Sequence, residues 1–202
     1  GIGNGASSGN DNTFGDDLDI TIEAGTVTAE GAAGGAGIGG SSNGGSGDIV
    51  ISGGWVRASG GVDESDLMFG GAGIGSGDNV DAGSIILRGD AVVEAFSSSG
   101  AAAIGAGYTG YARSIQILER AQVTAVSTYC GAAIGSGYTR ARTDMEIICN
   151  TQGTITAYGN AYAQAIGRAG SYSGNTVTIT VGEDSGPIWM FNENPNRSPL
   201  WG

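Results

Sequence analysis

The feature that most constrains this chain is a recurring Ile-Gly. Gly131–Thr139 reads GAAIGSGYT, and Ala101–Thr109 reads AAAIGAGYT. Relaxed to two small residues before Ile-Gly, or to Gln-Ala, the pattern returns at Ala36–Gly39, Ala72–Gly75 and Gln164–Gly167, and clipped at Ile2-Gly3. The isoleucines at 2, 38, 74, 104, 134 and 166 are spaced by 36, 36, 30, 30 and 32 residues. Self-similarity at such a period marks a repeat architecture, in which each unit buries its apolar face only against its neighbours.

Between one Ile-Gly and the next lie two apolar alternations. The first gives Ile20/Ile22, Ile49/Ile51, Ile85/Leu87, Ile115/Ile117, Met145/Ile147 and Val177/Ile179. The second gives Val27/Ala29, Val56/Ala58, Val93/Ala95, Val123/Ala125 and Ile155/Ala157. Residues between the members of a pair are mostly polar, such as Thr21, Gln116, Arg57 and Glu94. Period-2 patterning is a half-buried strand. The alanines and glycines before each Ile-Gly suit a tight corner. The predicted fold is all-β: a parallel β-helix of about six coils, each of three short strands. At about 4.8 Å per coil it would be a rod of roughly 25–30 Å. Residues 1–185 are expected to form the repeats. Residues 186–202 hold all three prolines together with Trp189, Phe191 and Trp201, and are expected to cap the rod.

The repeat pattern resembles the right-handed parallel β-helix superfamily of pectate-lyase-like proteins, in particular glycine-rich repeat segments of bacterial surface and secreted proteins. The resemblance spans nearly the whole chain and rests on the repeat rather than on a catalytic motif. It implies a right-handed coil and a polysaccharide-related, extracellular role.

Composition narrows the chemistry. Glycine is 41 of 202 residues without collagen's strict period, so it reads as turn chemistry. There is no His, and all eight basic residues are Arg, against 20 acids. His-based triads, His-ligated zinc, P-loop phosphate sites and Schiff-base chemistry are therefore excluded within these residues. The net charge of −12 falls entirely in residues 1–100, which carry 14 acids and two arginines. Such a surface opposes nucleic acid binding, since phosphates require basic groups. No stretch approaches the ~18 apolar residues of a membrane-spanning helix.

Several candidate sites follow. In the first acidic loop Asp11, Asp16, Asp17 and Asp19 can supply oxygen ligands to a Ca²⁺ ion, or serve only as a solvated turn. An enlarged loop at 60–71, GGVDESDLMFGG, either binds or folds Met68 and Phe69 back onto the rod. Four residues after the isoleucines come Asp78, Tyr108 and Tyr138, and seven after come Asp81 and Tyr111, with Arg140 and Arg142 nearby. In-register stacking would place these in columns. Aromatic faces flanked by carboxylate and guanidinium groups suit a sugar, the rings covering apolar pyranose faces. The same column also reads as a purely structural tyrosine stack. Trp55 and Phe96 are further aromatic candidates. Cys130 and Cys149 fall on separated corners, which predicts two free, largely buried thiols.

Two function classes emerge. One is a non-catalytic, extracellular or cell-surface module that binds glycan or polysaccharide through Asp78, Asp81, Tyr108, Tyr111, Tyr138, Arg140 and Arg142. The other is a glycoside hydrolase or polysaccharide lyase in which Asp78 and Asp81 perform the acid and base steps. A structural spacer ranks below both, and so does an ice-binding solenoid, whose outward row Thr28, Arg57, Glu94, Thr124, Thr156 is broken by charge.

Overall fold

Apolar alternation with a two-residue period forces each pair inward, and the pairs of successive repeats then meet like with like. The computed structural model describes residues 1–3, 18–138, 144–169 and 176–193. Within them the chain forms three parallel sheets of six strands, which confirms the expected all-β parallel β-helix. Sheet A is built from the Ile-Gly dipeptides, from Ile2–Gly3 to Ile166–Gly167. Sheet B takes the first alternation of each coil, from Ile20–Ile22 to Thr176–Val181. Sheet C takes the second, from Thr26–Glu30 to Ile188–Glu193. Coils are numbered here by their Ile-Gly, so that coil one begins at Ile2 and coil six at Ile166.

Register runs like with like through the stack. Ile49 pairs with Ile85, Ile85 with Ile115 and Ile115 with Ile147 in sheet B. Val56, Val93, Val123 and Ile155 do the same in sheet C. Ile38, Ile74, Ile104 and Ile134 supply the third wall, all fully buried with Ile49, Ile85, Ile115 and Ile147. Each such side chain contributes roughly 1.5–3 kcal/mol relative to exposure.

The glycine of each Ile-Gly has its own cause. All six lie at φ between 128 and 141°, a region that L side chains avoid. A Cβ on Gly39, Gly75, Gly105 or Gly135 would also overlap the carbonyl oxygen of the glycine one coil further on. Backbone therefore stacks on backbone at this corner. Its loops are pinned by a repeated bond two residues either side of the isoleucine. Ala72 N–H donates to Ser76 O, Ala102 N–H to Ala106 O and Ala132 N–H to Ser136 O, at 2.8 to 3.0 Å.

Other expectations resolve in the same terms. Asp19 Oδ1 accepts the backbone N–H of Asp48, whose own Oδ1 accepts that of Ser84, capping the start of sheet B. Asp11, Asp16 and Asp17 lie outside the described residues. Cys149 points inward in register with Ile117, and burial pushes its thiol up to about 11. Cys130 is half-buried, and both cysteines are free. Residues 188–193, assigned above to the tail, run parallel to Ile155–Asn160 as the sixth strand of sheet C, with Ile188 over Ile155 and Met190 over Ala157. Residues 194–202 lie outside the described residues.

Candidate functional site

The enlarged loop of coil two is an antiparallel hairpin, Val62–Asp63 against Asp66–Gly70. Asp63 shapes its tip, accepting both the backbone N–H and the hydroxyl of Ser65. From the returning strand Phe69 meets Tyr108 edge-on, with ring centroids 4.9 Å apart. The other neighbour of Tyr108 is Tyr138, parallel to within 1° at 6.1 Å.

The column Asp78, Tyr108, Tyr138 is thus assembled, and one backbone device builds it. Asp78 N–H donates to Gly34 O, Tyr108 N–H to Gly70 O and Tyr138 N–H to Gly100 O. In each case the residue four after an isoleucine is tied to the residue four before the isoleucine of the preceding coil. Packing then consumes the rings. Tyr108 is only 8% exposed, with one face against Tyr138 and Phe69 against it edge-on. What it offers a pyranose is not a bare ring face.

Asp78 is buried as well, at 6% exposure. Its Oδ2 accepts the side-chain N–H of Asn79, while Oδ1 has no hydrogen-bond partner. Burial raises the carboxyl to about 6, with Asp63 adding to the shift and an Asn79 hydrogen bond opposing it. Asp81 is half-buried, its carboxyl raised by burial against a hydrogen bond from the Tyr111 backbone. Tyr111 donates its hydroxyl to the carbonyl of Asp144 in coil five, and burial raises its pKa above the usual phenol value. Arg140 and Arg142 lie outside the described residues.

A second arrangement, missed as a site in the sequence, lies at the corner between sheets C and A of coils five and six. A cleft of about 360 Å³ is lined by Asn160, Tyr162, Gln164, Arg168 and Asn192 with small alanines between them. Asn160 is buried; its side-chain N–H donates to Gly131 O, and its Oδ1 accepts the Tyr162 backbone N–H. This turn holds the loop down and throws the Tyr162 ring out to 60% exposure. Gln164 and Arg168 are tied through two bonds of 2.8 Å: Gln164 N–H to Arg168 O, and Arg168 N–H to Gln164 Oε1. Among the described residues no carboxylate lines the cleft. The signal was present in the repeat: at the position two before the isoleucine, Ala36, Ala72, Ala102 and Ala132 give way to Gln164. Likewise Tyr162 stands where Gly34, Gly70 and Gly100 stand in other coils.

Trp55, half-buried, begins the second strand of sheet C, and the Phe96 ring is covered by the Arg57 guanidinium at 4.9 Å. Tyr158 and Phe191 stack on each other at 4.9 Å. These outward aromatics also satisfy one another.

Residues 20–42 and 49–78 match the Beta helix repeat family. These stretches are β-helix repeats. Each match begins at a sheet B strand, runs through sheet C and ends just past the Ile-Gly of sheet A, so the repeat unit is one full turn around the rod. Neither the curated proteins nor the solved structures gave a match.

Proposed function

We propose that this β-helix repeat domain is a non-catalytic glycan-binding module of a surface or secreted protein, with the sugar seated in the corner cleft of coils five and six. The carrying observation is the Tyr162 ring, 60% exposed beside an amide-lined cleft of about 360 Å³. Sugar sites pair an accessible aromatic face with polar groups that fix hydroxyl orientation, and ligand pockets start at roughly 300 Å³. The amides of Gln164 and Asn192 bring both donors and acceptors. The carboxylate-pair alternative draws less support, because Asp78 is buried beneath its neighbours rather than presented to a substrate.

The test is a glycan array followed by titration calorimetry on the best ligand, with a reducing-sugar assay on the same preparation. Tyr162→Ala is expected to weaken binding at least tenfold with an unchanged melting curve, since the ring is largely in solvent. Gln164→Ala installs the residue that four other coils carry, so it should fold normally and also weaken binding. Equal affinity in both variants, or no glycan retained by the parent protein, overturns the reading. Product release would transfer it to the hydrolase class.

A further inference from the structure

Buried polar atoms are nearly always paired, so an orphan calls for an explanation. Asp78 Oδ1 is one of two such side-chain atoms among the described residues. It belongs to a residue that is only 6% exposed. Around the residue coil one contributes Gly34, and coil two Ser42 and the Asn43 backbone, all uncharged. Coil four contributes Tyr108, whose carbonyl accepts the Asn79 N–H. Asp81 follows in the same loop. The charged group facing it from outside that loop is Asp63, on the hairpin.

That hairpin is attached in a way that allows it to lift as a unit. Gly60-Gly61 leads into it and Gly70-Gly71 leads out, joined by a bond from Gly71 N–H to Gly61 O at 3.0 Å. The hairpin rests on the rod through Phe69 against Tyr108, a bond from Gly100 N–H to Met68 O and, at its end, one from Tyr108 N–H to Gly70 O. Its Leu67 is already in solvent. Asp63 is half-buried on the hairpin, and its bonds to Ser65 hold its carboxyl below the ordinary value, so it remains charged.

We propose that the Val62–Gly70 hairpin is a pH-operated lid, latched over the corner loops while the Asp78 carboxyl is neutral and released when it ionises. A neutral carboxyl tolerates the enclosed site beside Asp63. A carboxylate there has one oxygen without a donor and a like charge opposite, and both costs are relieved when the hairpin lifts and water enters. Lifting bares Met68, Phe69 and the Tyr108 ring as an apolar patch. The sign follows from the raised carboxyl, at about 6 in the closed form. With an ordinary carboxyl in the open form, closure is fully favoured below about pH 4 and is lost as pH rises toward 6.

The experiment is hydrogen exchange of the amides of residues 62–70 at pH 5 and pH 8, corrected for the intrinsic rate, with Ile115 and Ile117 as a core reference. In the parent protein the hairpin opening constant should rise about tenfold between the two pH values while the core reference stays flat. Asp78→Asn should remove the rise. Asp63→Asn, a change on the hairpin and outside the core, should reduce it and serves if the first variant does not fold. A parent hairpin with pH-independent opening, or a rise retained in Asp78→Asn, overturns the lid; so does an Asp63→Asn rise equal to that of the parent.

Discussion

Two columns run along this rod, a few residues apart in coils two to five, and they obey different rules. The Ile-Gly column of sheet A keeps the same two residues in all six coils. The column four residues later holds Ser42, Asp78, Tyr108 and Tyr138. In the first, backbone lies on backbone: each glycine sits at positive φ, and a side chain would enter the carbonyl oxygen of the next coil. In the second, the backbone is fixed by its bond to the residue four before an isoleucine, and the side chain projects into space that a loop has to fill. A repeat conserves what the main chain cannot tolerate changing. It varies what a neighbouring loop can repack, and chemistry accumulates there.

The largest test of that contrast is Gly105→Ala. It combines a conformation at φ 134° that alanine avoids with overlap onto Gly135 O, neither of which a side-chain rotation relieves. Losses above about 4 kcal/mol arise from such unrelievable backbone conflicts, so the variant should unfold at much lower urea or fail to fold. A loss below about 1 kcal/mol would mean that the corner can slide, and would remove the backbone-on-backbone account.

Next in size is Tyr108→Ala. Removing a ring that is 8% exposed and contacts both Phe69 and Tyr138 should cost about 3 kcal/mol, within the range for buried aromatics. Tyr138→Ala keeps the Phe69 contact to Tyr108 and should cost clearly less. Urea denaturation of the two variants decides it. Equal, near-zero losses would show the column to be decoration on the rod.

How much of this could be read beforehand divides along the same line. The fold was legible because period-2 alternation and the Ile-Gly spacing are local and repeated six times, so each coil tests the others. Stacking of Tyr108 on Tyr138 was legible for the same reason. Burial of Tyr108 was not, because it depends on where a single, unrepeated hairpin folds, and no register argument positions Phe69. The same holds for the cleft at Tyr162: it forms from Asn160, Gln164 and Asn192, which are departures from the repeat and come from two different coils. Departures such as Gln164 among alanines are visible, but the partner strand bearing Asn192 follows Pro187 in a stretch whose prolines and aromatics read as a tail.

The smallest effect refines the contrast at the residue that follows the variable column. Here the backbone turns left-handed in three successive coils, at Asn43 (φ 59°), Asn79 (φ 59°) and Thr109 (φ 56°). Asparagine enters this region readily, whereas a β-branched threonine is strained there. Thr109 remains because its hydroxyl donates to Asn79 Oδ1, one coil back. Thr109→Asn should relieve the strain while its amide N–H takes over that bond, extending the asparagine ladder by one coil. A gain of about 0.5–1 kcal/mol is expected, seen as a higher urea midpoint at unchanged slope. Thr109→Ala is the control: it keeps the left-handed cost, loses the bond, and should be destabilising. If asparagine and alanine move the midpoint in the same direction, the hydroxyl bond and the backbone strain are not the two opposing terms at this position. The corner would then tolerate a left-handed threonine for side-chain packing alone, as its neighbours in the variable column do.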